Sequence, residues 1–255
     1  TYSVVDECGR TASCTQTFTI ANDGPTITCP ADKEIECFDD IIKGIPTVTT
    51  SCDLGYNVII SDPVLVDGQE HCSGAVYEIT YTVKDDCGRS ASCIQTFSIW
   101  NAGPTITCPA DMTVSCIDEI IQGMPTVTTS CGLGYEVFVA MPSIVGYEAN
   151  CPDQQYQILY TVVDECGRTA SCTQTFTIAN DGPTIACPAD KTITCIDEIV
   201  QGIPTVTTSC GLGYEVFVAM PSIVGHEANC PDQQYQITYS VVDECGRTAS
   251  CTQTF

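Results

Sequence analysis

The pattern Tyr-x-Val-x-Asp-(Glu/Asp)-Cys-Gly-Arg-(Thr/Ser)-Ala-Ser-Cys-x-Gln-Thr-Phe occurs four times, at 2–18, 81–97, 160–176 and 239–255, each copy starting 79 residues after the last. A fixed period of this size marks a tandem array of small folded units. Within one copy, Tyr239, Val241 and Asp243 alternate with Ser240, Val242 and Glu244, and Ala249, Cys251, Gln253 and Phe255 alternate with Ser250, Thr252 and Thr254. Alternation rich in Val, Thr, Tyr and Phe predicts two strands. Asp-Glu-Cys-Gly-Arg between them predicts a hairpin turn, with Gly246 free to take positive φ. Residues 1–18 and 238–255 are identical. The chain is therefore expected to be a window on a longer array, with 1–18 the final hairpin of a preceding repeat and full repeats at 24–99, 103–178 and 182–255.

The 20 cysteines fall at six phases of the period, represented by Cys29, Cys37, Cys52, Cys72, Cys87 and Cys93, with Cys8 and Cys14 on the leading hairpin. An even set in a small repeat predicts disulfides and an oxidising, extracellular or cell-surface location. Zinc competes, but zinc sites favour close pairs such as Cys-x2-Cys, and the nearest pairs here, such as Cys8 and Cys14, have five residues between them. Fifteen pairings of six cysteines remain open at this point.

Eight basic residues stand against 32 acidic ones, a net charge of −24. Nucleic acid and anionic membranes need basic patches and are not expected partners. The acids read as solvating charge, and divalent cations are the ligand class they admit. The best apolar run, 135–146, is interrupted by Pro142 and is too short to span a bilayer.

Along one repeat, Thr26–Cys29, Lys33–Cys37, Ile45–Thr50, Tyr56–Ile60, Tyr77–Lys84 and the closing hairpin read as short strands, with a loop at Asp62–Gly68. About seven strands with turns every 8–12 residues predict a small all-β sandwich. Asp39–Gly44, Asp118–Gly123 and Asp197–Gly202 read as one helical turn each, with acids at the start and glycine at the stop. The adjacent acids are expected to serve that turn and not catalysis.

The segments Pro-Thr-Ile-Thr-Cys-Pro-Ala-Asp-Lys-Glu-Ile at 25–35 and Tyr-Thr-Val-Lys-Asp-Asp-Cys-Gly-Arg-Ser-Ala-Ser-Cys at 81–93 resemble the opening and closing anchors of hyalin repeats, the HYR domains. Both anchors recur in every full repeat. The resemblance implies tandem immunoglobulin-like β-sandwiches, and the cysteine load is similar to that of the cysteine-rich bacterial surface proteins. Arg89 stands where the family usually has Asn. The immunoglobulin-like layout implies Cys29–Cys93 between first and last strands, Cys37–Cys72 at the lower end and Cys52–Cys87 at the upper end. Repeated by period, these are Cys108–Cys172, Cys116–Cys151, Cys131–Cys166, Cys187–Cys251, Cys195–Cys230 and Cys210–Cys245.

His71 and His226 occupy different phases of the repeat, so no repeated site uses them, and no Gly-x-Ser-x-Gly nucleophile elbow occurs. No catalytic residue is assigned, and no cofactor is required. The candidate ligand site is the junction, where Asn22, Asp23, Asn180 and Asp181, with Asp85 and Asp86 of the following turn, offer oxygen to Ca2+. Asp23 becomes Ala102 at the middle junction. Arg10, Arg89, Arg168 and Arg247 share one turn and make up half of all basic residues, which suits contacts between repeats or chains. Trp100 replaces Ala21 and Ala179 in its junction and is expected to pack between domains. No Asn-x-Ser/Thr acceptor occurs.

Residues 103–176 and 182–255 differ at nine of 74 positions, loops included. Near-copies whose loops change little suit a length-setting fibre or stalk whose partners are further repeats or copies, the clearest loop differences lying between Asp62–Ser73 of the first full repeat and Pro142–Pro152. A calcium-dependent adhesin that binds glycan or protein through its loops is a second reading. A non-catalytic spacer of a secreted enzyme is a third.

Overall fold

A computed structural model describes residues 1–146, 150–225 and 232–255. The chain divides into two compact units, Thr1–Ala102 with Ser130–Leu133, and Gly103–Thr129 with Gly134–Phe255. Among the described residues, all regular structure is strand, apart from short 3-10 turns.

The first full repeat shows the plan. Strands Thr26–Thr28 and Thr47–Thr49 pair antiparallel as one small sheet. A larger sheet runs Lys33–Ile35, Ser90–Ile99, Val76–Asp85 and Tyr56–Ile60, with Val64–Asp67 also on Val76–Asp85. The opening strand thus serves both sheets. Pro30 sits where it changes over, because proline has no N–H to continue a ladder. Beyond it, Lys33–Ile35 joins Phe97–Ile99 in parallel, which gives the repeat its immunoglobulin-like closure. The second repeat repeats this plan with Met112–Val114 on Thr169–Ile178. In the third, Lys191 N–H donates to the Thr254 carbonyl at the same place.

Each repeat has its own core. In the first, Tyr77, Ile79, Tyr81, Phe97 and Ile99 are buried, with Ile27, Ile35 and the Cys29 and Cys93 side chains packed against them. Tyr156, Ile158, Tyr160, Phe176 and Ile178 do the same in the second, and Tyr235, Ile237, Tyr239 and Phe255 in the third. The alternation of the long hairpin is the cause: every second residue of Val76–Asp85 faces inward and is buried.

One buried polar relay recurs. Tyr239 Oη donates to Gln253 Oε1 at 3.0 Å and accepts Gly202 N–H at 3.1 Å, while Gln253 Nε2 donates to the Ala189 carbonyl at 2.8 Å. It ties the Pro-Ala-Asp crossover and the loop after the 3-10 turn to the hairpin. Gly202 is required there, because an added Cβ would lie 2.6 Å from the Pro188 ring.

Two local expectations change. The helical turns are 3-10 turns at Phe38–Asp40, Ile117–Glu119 and Ile196–Glu198, and the chain is extended again from the following Ile onward. Their acids do act as caps: Asp40 accepts Cys37 N–H, and Glu198 accepts the backbone N–H and hydroxyl of Thr194, which holds its carboxyl below the usual range. The segment expected as a loop at 62–68 contains the strand Val64–Asp67, whose Val64, Leu65 and Asp67 pair across to Val76–Glu78. No helix of the described residues is long and apolar enough to cross a membrane.

Candidate functional site

The repeated turn is built around one carboxylate. Asp243 Oδ1 accepts the backbone N–H groups of Cys245 and Arg247, and Oδ2 accepts Arg247 Nε at 2.9 Å and forms an ion pair with Nη2 at 2.8 Å. Gly246, at φ +75, lets the chain reverse. Asp85 and Arg89 reproduce this in the first repeat. Burial opposes charge on Asp85. The backbone N–H and guanidinium of Arg89 outweigh it, and hold the carboxyl below its ordinary range.

With Nε and Nη2 committed to aspartate, the third guanidinium nitrogen points at the junction. Arg247 Nη1 donates to the Asn180 carbonyl and to its Oδ1, both at 2.9 Å. Asn180 Nδ2 donates the other way, to the carbonyls of Ser115 at 3.0 Å and Asn150 at 2.7 Å. One asparagine therefore joins the turn of the third repeat to two loops of the second. Asn101 donates likewise to the Glu36 and His71 carbonyls. Asn22 accepts from Arg89 Nη1 at 2.8 and 2.7 Å.

Cysteines flank this asparagine. Ser115 and Asn150, whose carbonyls it holds, immediately precede Cys116 and Cys151. Cys116 bonds to Cys210 and Cys151 to Cys245, so two disulfides close the junction between second and third repeats. Cys37 of the first repeat bonds to Cys131 of the second. Inside each repeat the structure has Cys29–Cys93, Cys108–Cys172 and Cys187–Cys251. Cys72 and Cys166 are also in disulfide form.

These bonds correct the remaining expected pairings. Cys37–Cys72, Cys116–Cys151, Cys131–Cys166 and Cys210–Cys245 do not form, since Cys37, Cys116, Cys131, Cys151, Cys210 and Cys245 bond across junctions. Cys52–Cys87 does not form either, and both residues are exposed thiols, as is Cys195. Cys230, the expected partner of Cys195, and His226 lie outside the described residues. The physical reason is geometric. Glu36 and His71, whose carbonyls share Asn101, precede Cys37 and Cys72, but Cys37 finds its bonding geometry with Cys131 of the adjoining repeat, at a Cα separation of 5.4 Å.

The other expected site residues fall as follows. Asn22, Asn180 and Asp85 spend their oxygens on Arg89 or Arg247. Asp23 and Asp181 offer backbone carbonyls to Ser51 and Ser209 hydroxyls, and Asp86 donates its backbone N–H to Gly55. Among the described residues, no three His, Cys, Asp or Glu side chains converge as a metal-holding group. Arg10 pairs with Asp6, and Arg168 with Asp164. Trp100 is 75% exposed, and its backbone N–H is fixed by the Ile35 carbonyl. His71 lies edge-on to Phe38 and is half exposed.

Nothing in the sequence pairs this asparagine with this arginine, although both recur at constant phase. Asn22, Asn101 and Asn180 are invariant among the three junctions, whereas Asp23 is not. That contrast separates the residue doing the joining from its neighbour.

No model of a known protein family matches the chain. Hyalin of Strongylocentrotus purpuratus is 24% identical over 261 residues, covering 95% of this chain and 21% of hyalin. The chain thus spans about a fifth of that relative's length, and is hyalin-like in sequence. Similar solved structures include mouse cadherin-23 EC22–24, 12% identical with a TM-score of 0.39 over 92% of this chain and 98% of that one. The protocadherin gammaB4 extracellular domain is 12% identical with a TM-score of 0.35, over 92% and 49%.

Proposed function

We propose that this chain is a structural segment of an extracellular fibre or cell-surface stalk, and that its task is mechanical. The observation that carries this reading is the pair of bonds Cys116–Cys210 and Cys151–Cys245 across one junction. A hinge needs freedom at the junction. Two covalent ties beside the Asn180–Arg247 contact remove it. The bonds close loops of 94 residues in sequence separation, for which chain entropy gives about 4–5 kcal/mol each. Hyalin-like sequence and a disulfide-dense small sandwich support an oxidising, extracellular setting. Near-identical loops in neighbouring repeats support a role in setting length over one in diversified binding.

In this reading stiffness comes from sulfur and from the arginine lock, not from Ca2+, because the guanidinium takes the asparagine oxygens that a cation would use. Electron imaging of the native material tests it. Filaments are expected to keep their stiffness in a chelator and to become flexible after reduction. Filaments that soften or dissociate in chelator alone would overturn it in favour of the calcium-dependent adhesin. A catalytic domain in the same polypeptide, with no filament, would favour the spacer reading.

A further inference from the structure

Three thiols of the described residues that stay free in the full repeats, Cys52, Cys87 and Cys195, are at phases that are bonded elsewhere in the chain. Cys131 and Cys210 stand at the phase of Cys52, and each is bonded to a preceding repeat, through Cys37 and Cys116. Cys245 stands at the phase of Cys87 and is bonded to Cys151 of its preceding repeat. Cys195 stands at the phase of Cys37 and Cys116, which bond to a following repeat.

Two further observations concern the Cys52–Cys87 end. Cys52 holds the left-handed backbone conformation, φ 57, that bonded Cys131 and Cys210 also hold at φ 57. That conformation is unfavourable for a side chain with Cβ. It is kept here with no bond in place, so the loop presents the thiol in bonding posture. Asn22 is likewise half-engaged. Its oxygens hold Arg89 as Asn180 holds Arg247, but its Nδ2 has no acceptor among the described residues, where Asn180 has the carbonyls of Ser115 and Asn150.

We propose that Cys52 and Cys87 form two disulfides with a further repeat of this same kind, through its cysteines at the phases of Cys37 and Cys72. The backbone carbonyls just before those cysteines accept Asn22 Nδ2. Cys195 makes the complementary bond to a Cys52-type loop. Each bond forms from two thiols, which lose two protons and two electrons to a disulfide oxidant of the oxidising compartment, itself reduced to a dithiol. The identity of the partner as a repeat rests on the fibre reading, whereas the engagement of Cys52 and Cys87 does not. The partner repeat is either part of the same polypeptide or part of another copy.

The test is disulfide mapping of the native material after alkylation of free thiols, without reduction. Peptides bearing Cys52 and Cys87 differ in sequence from their counterparts in later repeats, so they are identified singly. The expected result is that neither is alkylated, and that each is linked to a separate peptide of the Cys37 or Cys72 type. Denaturing electrophoresis distinguishes the sources: mass falls to one chain on reduction if the partner is another copy, and is unchanged if it is the same polypeptide. A Cys52–Cys87 link, or alkylation of both, overturns the proposal. As a second arm, the purified chain in a glutathione redox buffer is expected to form a reductant-sensitive ladder. C52S/C87S should abolish the ladder, while C8S/C14S should leave it. A ladder indifferent to C52S/C87S also overturns the proposal. Absence of filaments by imaging, with the cross-repeat links present, would overturn only the fibre reading.

Discussion

Replacing Asn180 by alanine should loosen one junction and leave the repeats on either side folded. The side chain makes two neutral bonds, to the Ser115 and Asn150 carbonyls, and accepts one charge-assisted bond from Arg247. A neutral bond contributes about 1 kcal/mol net and one to a charged group about 1.5–3. The site is half-buried, so solvent replaces part of what is lost, and we expect about 2–3 kcal/mol in total. The Arg247 contact to the Asn180 backbone carbonyl survives the substitution, as do both disulfides. The junction should therefore open locally without separating. Hydrogen exchange reads this directly. The Ala179 amide, bonded to the Val114 carbonyl, and the Ile117 amide, bonded to Asn150 Oδ1, border the opening. In the regime where exchange reports the opening equilibrium, they should exchange roughly 30- to 140-fold faster, at about tenfold per 1.4 kcal/mol. Amides of the core strand Gln155–Asp164 should not change. Unchanged rates at 117 and 179 would refute the junction role of Asn180. Acceleration throughout Gln155–Asp164 would show that the asparagine supports the fold of the repeat.

Tyr239→Phe keeps the ring but leaves Gly202 N–H and the fully buried Gln253 amide oxygen short of a partner. Denaturant unfolding under non-reducing conditions should show the third repeat weakened by about 1–3 kcal/mol, and no change would mean that water replaces the hydroxyl. Gly202→Ala places a Cβ 2.6 Å from the Pro188 ring, which cannot swing aside. It should cost about 1–3 kcal/mol as overpacking, and a neutral result would mean that the loop shifts freely. For the Asp85–Arg89 turn, the folded carboxyl titrates below its unfolded value of 3.8. Its contribution is complete well above that value and is lost as pH falls through the lower, folded one. Amide exchange at Gly88 should stay protected at pH 5 and rise only below about pH 3.8. Asp85→Asn should remove this acid limb, and opening already at pH 5 would refute the assignment.

Much of the fold was legible because alternation is a local property. The run Tyr239–Asp243 declares its inward residues by spacing alone, and the structure buries Tyr239, Val241 and Asp243. The hairpin turn was legible for the same reason, since Asp, Gly and Arg at fixed offsets close it within five residues. The strand at Val64–Asp67 was not legible. It is held by pairing to Val76–Glu78, and nothing in Asp62–Gly68 itself announces that partner.

The disulfides show what a repeat hides. In a periodic chain a cysteine's phase is visible, whereas its partner is known only up to a whole number of periods. Cys37 and Cys72 do belong to one end of a repeat, and the carbonyls before them both meet Asn101. Closeness to a shared asparagine is not closeness of sulfurs, however. A disulfide needs Cα atoms about 5.5 Å apart with the Cβ vectors facing, and Cys37 finds that geometry with Cys131 at 5.4 Å. Bonds at the Cys29 phase stay within a repeat because their two strands are neighbours in the same core. Bonds at the end phases cross from repeat to repeat, as Cys116–Cys210 and Cys151–Cys245 do between the second and third. Core phases therefore stabilise the unit and end phases join units. The joining phases are also the ones at which free thiols remain in the first and last full repeats.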